Sequence, residues 1–182
     1  MTIERKHNIL HKKVTYYVLC YKGRNAVNVD RDKLLEGFDD KTVLFGLFFA
    51  FANRLQAAGD AFYEGITCKQ FFLLICLSLF KETPPSINEL AGVMGSSHQN
   101  VKQIINKLEK AGFVTTFYDK EDRRKIRVAA TEKIHTLSKK HRAQEERFMS
   151  ELYEGITEEE VHLTYQVMLK IEKNLMVIRE EM

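Results

Sequence analysis

The 182-residue sequence predicts a mostly α-helical chain with one small β-hairpin, and three observations carry that prediction. Apolar residues recur at helical spacing over most of the length beyond residue 39. Residues 113–130 break the pattern: Phe113–Tyr118 is β-branched and aromatic, and Ile126, Val128 and Ala130 alternate along a returning strand. Near Gly95, two helical patterns lie within about two residues of each other, a connection short enough to force a steep crossing.

Residues 1–38 form an N-terminal extension. Val14–Tyr21 has strand propensity, Lys22–Asn25 is turn-like, Ala26–Val29 can pair back, and Asp30 can cap a short helix through Phe38. A helix then spans 39–59, with Val43, Leu44, Leu47, Phe48, Phe51 and Leu55 on one side. Phe45, Phe49 and Ala52 widen its apolar surface beyond the stripe a core-facing helix needs, which a dimer interface would explain. Thr67 caps the next helix, through Lys81. Its Phe71, Phe72, Leu74, Ile75, Leu77 and Leu79 make it apolar on nearly all sides and therefore central. Thr83-Pro84-Pro85 breaks it.

Ser86 and Glu89 stand at capping-box spacing. Ile87, Leu90, Ala91 and Met94 give one buried stripe, and Gly95 suits the left-handed residue that closes a helix. Ser96 and Gln99 repeat the capping-box spacing, and a second helix runs from about Ser97 to Lys110 with Val101, Ile104, Ile105 and Leu108 inward. Its other face carries Ser97, His98, Asn100, Lys102, Gln103, Asn106 and Lys107, with no carboxylate before Glu109. Amides and hydroxyls read base edges and lysines neutralise phosphates, so a face so placed after a tight turn is read as DNA-contacting rather than merely solvated. Ala111-Gly112 ends the helix, and Asp119–Asp122 turns the hairpin. Arg123, Arg124, Lys125 and Arg127 make the hairpin a basic wing suited to a narrow minor groove. Helix, turn, helix and basic hairpin together make a winged helix-turn-helix.

Thr131 caps a long helix to about Tyr153, in register through Ile134, Leu137, Phe148 and Leu152, and Gly155 ends it. Thr157 and Glu160 form a third capping box, opening a helix with Val161, Tyr165, Met168, Leu175 and Ile178. So small a winged helix cannot bury these apolar sides alone. The expected organisation is an extension (1–38), a first dimerisation helix and loop (39–66), a DNA-binding winged helix-turn-helix (67–130) and C-terminal dimerisation helices (131–182).

The run PSINELAGVMGSSHQNVKQIINKLEKAGFV followed by DKEDRR resembles the core of the multiple-antibiotic-resistance regulator (MarR) family, over about residues 39–180. Ala130 and Ile134 depart from the pattern, standing where the family commonly has Leu and Gly; they concern packing at the wing exit. The resemblance implies a two-fold homodimer built from the N- and C-terminal helices, and often a response to a small-molecule effector or an oxidant.

The expected DNA-binding residues are Ser96, Ser97, His98, Gln99, Asn100, Lys102, Gln103, Lys107, Arg123, Arg124, Lys125 and Arg127. Within that set Ser97, His98, Asn100 and Gln103 are assigned to bases, Lys102 and Lys107 to phosphate, and Arg124 to the minor groove. Asp119 and Asp122 stabilise the wing, with Arg123 a possible partner for either. A two-fold dimer presents its recognition helices about 34 Å apart, so the target is a palindromic operator of roughly 16–20 base pairs. The functional expectation is a dimeric repressor released by a small molecule or other signal. The alternative is a protein-interaction module that kept the fold and lost DNA binding. Phe48, Phe62, Tyr63, Phe71 and Phe72 either line an effector pocket or are ordinary core.

Formal net charge is only +3, but it is unevenly spread: residues 86–130 carry eight Lys/Arg against five Asp/Glu, and residues 139–182 carry seven against ten. One part attracts a polyanion and another does not. Six cations and one Glu precede Asp30, so the extension is either a basic arm touching DNA or a second subunit, or a segment packed on the core. Cys20, Cys68 and Cys76 form no C-x-x-C pair, which fits a reducing cytosol. None sits at the start of the first long helix, where hydroperoxide sensors of the family carry theirs. His135 and His141 fall on different helix faces and His162 is remote, so no metal or cofactor is expected. Catalytic triads and glycine-rich phosphate loops are absent from the sequence, which argues against an enzyme. The apolar runs near 42–52 and 71–80 are too short to span a bilayer, and the N-terminus lacks a cleavage-site pattern, so a cytoplasmic location is expected.

Overall fold

The computed structural model describes residues 35–62 and 65–180. The expected strands and turn at 14–29, the start of the short helix at Asp30, Cys20 and Tyr63 lie outside the described residues. The chain divides into two compact units, residues 1–64 and 65–182.

In the first unit, residues 35–37 form a turn and helix α1 spans Asp40–Phe62, three residues beyond its expected end. Asp39 caps it: Oδ1 accepts the Lys41 and Thr42 N–H groups, and Oδ2 accepts the Thr42 hydroxyl at 2.7 Å. Those hydrogen bonds, the Thr42 hydroxyl foremost, hold the Asp39 carboxyl below its ordinary range. Phe45, Phe49 and Phe51 are exposed, the first two meeting edge to face with centroids 5.3 Å apart.

The second unit runs α2 (Cys68–Ser78), α3 (Ile87–Val93), α4 (His98–Lys110), β1 (Val114–Tyr118), β2 (Ile126–Ala130), α5 (Lys133–Leu152) and α6 (Glu158–Glu180). Thr67 and Gln70 cap α2 reciprocally. The helix stops at Ser78 rather than Lys81, because the Leu79 and Phe80 N–H groups tighten onto the carbonyls three residues back. It is also not apolar-buried all round: Leu73, Leu74, Cys76 and Leu77 are in the core, but Phe72, Ile75 and Leu79 are exposed. The core is closed by Leu90 of α3, by Val101, Ile105 and Leu108 of α4, and by Val128 of β2, each essentially inaccessible to water. Each contributes about 1.5–3 kcal/mol by leaving water.

β1 and β2 are antiparallel, with Val114 opposite Ala130 and Tyr118 opposite Ile126. Ser86 bridges Arg127 on the other edge of β2, and the Val128 N–H donates to the Pro85 carbonyl at 2.9 Å. The hairpin is thereby bonded to the segment that starts α3.

Thr131 does not cap α5. Its hydroxyl donates instead to the carbonyls of Gly112 (2.7 Å) and Phe113 (3.1 Å), leaving Glu132 at the cap position without a side-chain bond. Thr157 and Glu160 do form the capping box that opens α6. Along α6, Leu163, Tyr165, Leu169, Leu175, Met176 and Ile178 are all exposed. Among the described residues, no helix is long and apolar enough to cross a membrane.

Candidate nucleic-acid interface

The turn between α3 and α4 is set by a left-handed glycine. Gly95 has φ +59°, its N–H donates to Gly92, and the Ser96 N–H reaches back to the Ala91 carbonyl at 3.0 Å. That last bond holds Ser96 to the end of α3, so the α4 cap moves one residue on from the expected Ser96. Ser97 Oγ accepts the Asn100 N–H, and Ser96 Oγ accepts the Asn100 side-chain amide at 2.8 Å. Asn100 does not complete a capping box, since its side-chain amide bonds Ser96 and not the cap backbone.

Helix α4 buries Val101, Ile104, Ile105 and Leu108 and exposes His98, Gln99, Asn100, Lys102, Gln103, Asn106 and Lys107. Glu109, at first sight only an interruption of a cationic face, points to the hairpin. It accepts both the N–H (2.8 Å) and the hydroxyl (2.6 Å) of Thr116 in β1. At its end, Gly112 (φ +76°) repeats the left-handed closure, and Lys133 Nζ donates to the Ala111 carbonyl at 2.7 Å while lying 4.8 Å from the Phe113 ring centroid. Neither Glu109 nor Lys133 was expected from sequence to position the helix.

The wing is held by carboxylates. Asp119 Oδ1 accepts the N–H groups of Glu121 (2.8 Å) and Asp122 (2.9 Å), and Oδ2 accepts Arg127 Nε at 2.5 Å. The Asp122 N–H, the Arg127 guanidinium and the Glu121 N–H lower the Asp119 pKa from 3.8 to about 2. Arg127 also donates to the Pro84 carbonyl at 2.9 Å and lies 3.4 Å from Glu89 Oε2, with its side chain only 18% exposed. Glu89 meanwhile accepts the Ser86 N–H, the main reason its carboxyl is depressed.

The partner expected for the wing aspartates was Arg123; the structure uses Arg127 for Asp119 and Arg124 for Asp122 instead. Register explains the first. Arg127 lies in β2, facing Ser86, where its guanidinium reaches both the turn and the start of α3. Arg123 is exposed and forms no ion pair among the described residues. Arg124 Nε is 3.1 Å from Asp122 Oδ1, yet its side chain remains 93% exposed.

Between α4 and the wing runs a groove of about 500 Å³. His98 and Lys102 line it from the helix, Arg124 and Lys125 from the wing, and Asn88 and Glu89 from α3. Asn88 was missed from sequence, because only the turn between the helices brings it beside α4. Of the rings expected to form a pocket, Phe48 and Phe62 are half-buried in the first unit; in the second, Phe71 is half-buried and Phe72 exposed. Among the described residues no group of three or more metal-ligating side chains occurs.

The sequence model of the MarR family matches residues 66–126, which are α2, the helix pair and the wing up to the first residue of β2. That segment is a MarR-family domain. Over 70–76% of its length the chain shares its fold with solved MarR structures. A MarR/EmrR family transcriptional regulator from Acinetobacter sp. ADP1 superposes with a TM-score of 0.66 at 18% identity, covering 76% of this chain and 98% of that one. MepR of S. aureus, solved as a DNA complex, gives 0.62 at 18% identity, covering 70% and 95%. BpsR of Bordetella bronchiseptica, whose DNA binding 6-hydroxynicotinic acid regulates, gives 0.61 at 18% identity, covering 71% and 98%. No curated protein matches the chain by sequence. The fold shared with these structures is a mostly helical chain with a two-stranded wing.

Proposed function

We propose that this chain is a sequence-specific double-stranded-DNA-binding transcriptional regulator, acting as a homodimeric repressor of a palindromic operator and released by a small-molecule effector. The observation that carries the reading is the shared groove: His98 and Lys102 on one wall, Arg124 and Lys125 on the other. A duplex whose major groove accepts α4 and whose minor groove accepts the wing passes a phosphate backbone between those walls. Lys107 and Arg123 are exposed for further phosphate contacts, whereas Arg127, engaged with Asp119, Pro84 and Glu89, acts by positioning the wing. The apolar residues exposed along α6 support dimerisation, and the DNA complex of MepR and the ligand control of BpsR support the remaining parts.

Gel-shift titration against fragments of the source genome tests this reading. Specific fragments should be retarded, with log affinity falling linearly in log salt by about 0.9 per phosphate neutralised. If no fragment is retarded by a folded, dimeric preparation, the chain is an interaction module rather than a DNA-binding regulator.

A further inference from the structure

Four side chains on α4 and its cap were assigned to bases from sequence, and three of them are occupied or turned aside. Ser97 Oγ is taken by the Asn100 N–H, and the Asn100 amide is turned back to Ser96, itself pinned to the end of α3. His98 lines the groove shared with the wing. Gln103 remains, and Gln99 stands one turn before it. Four residues apart on an α-helix means about 40° of rotation and about 6 Å of rise, so the two amides share one outward stripe. That stripe lies opposite the buried Val101, Ile105 and Leu108. Both glutamines are exposed, and among the described residues neither amide takes part in an intramolecular hydrogen bond.

We infer that Gln99 and Gln103 are the specificity-determining pair, each reading the adenine of an A·T pair in every half-site; this rests on the DNA-binding reading above. A carboxamide offers one acceptor and one donor side by side, the complement of adenine N6 and N7, whereas guanine presents two acceptors and selects Arg or Lys. The outermost stripe of this helix carries amides where a cation would read guanine. With base pairs 3.4 Å apart, a 6 Å separation places the two adenines one or two steps from each other.

The test is selection of bound duplexes from a randomised pool by the full-length protein, repeated with Gln99→Arg, Gln103→Arg and Gln103→Ala, each variant checked for an unchanged melting curve. The wild type should select a motif with two adenine positions per half-site. Gln103→Arg should convert one of them to guanine, Gln99→Arg the other, and Gln103→Ala should lose about tenfold in preference at its own position only. As a check independent of any variant, 7-deazaadenine at either position should weaken wild-type binding about tenfold. A wild-type motif that persists unchanged in the arginine variants, or that tolerates 7-deazaadenine at both positions, overturns the assignment while leaving DNA binding intact. Selection of no motif by the wild type overturns the DNA-binding reading, and this inference with it.

Discussion

Leu108→Ala tests whether α4 is held by its inward face as the structure implies. Leu108 is fully buried, and its carbonyl accepts the Phe113 N–H at 2.9 Å as the helix closes on Gly112. Truncation removes three carbons, about 2.4 kcal/mol at 0.8 kcal/mol for each buried methylene. The hole left in a core bounded by helices that cannot follow the missing side chain raises the cost to about 3–4 kcal/mol. Urea unfolding followed by circular dichroism is the assay. With a slope near 2 kcal/mol per molar, the midpoint should fall by about 1.5–2 M with the slope unchanged. Leu163→Ala, at a residue 60% exposed on α6, should cost under about 0.5 kcal/mol at concentrations where the chain is monomeric. A loss under about 1 kcal/mol for Leu108, or an equal loss at both sites, would refute the assignment of α4's anchor.

Other expectations concern the wing and the turn. Asp119 titrates lower folded (about 2) than unfolded (3.8), so its contribution is complete above pH 4 and is lost as pH falls through 2. The Glu121 and Asp122 amide shifts in an NMR titration should move in that window and lose that component in Asp119→Asn; a midpoint near 3.8 would show that Arg127 and the two N–H groups do not hold the carboxylate. Gly95→Ala meets no atom within 4 Å, so its cost is the left-handed backbone alone, about 1 kcal/mol; an unchanged or raised melting temperature would contradict the turn geometry. Arg124→Ala should weaken binding to a selected operator by about 1–3 kcal/mol and reduce the salt slope by about one, and unaltered affinity would remove Arg124 from the minor-groove role.

The helix pair was legible because its signals are local. Ser86 with Glu89, Gly95 and the apolar stripe of Ile87, Leu90 and Ala91 all act within a few residues, and each stands where the spacing put it. The cap of α4 was misplaced by one residue because Ser96 and Ser97 are chemically alike, and only the Ser96 N–H bond to Ala91 separates them. The ion pairs of the wing were harder. Arg123, Arg124 and Arg127 are interchangeable on paper, and the choice depends on strand register and on a bond to Pro84, 43 residues away. The bonds from Glu109 to Thr116 and from Lys133 to Ala111 belong to the same class: any lysine or glutamate has the chemistry, and tertiary structure selects which one.

The two groups that hold the exit of α4 also limit how it can move. Thr131, just before α5, and Lys133, its first residue, grip the carbonyls of Ala111, Gly112 and Phe113. A tilt of α5 must therefore carry the end of α4 with it or break the hydrogen bonds from both side chains. The joint ties the first turn of the long C-terminal arm to the end of the helix proposed to face a duplex.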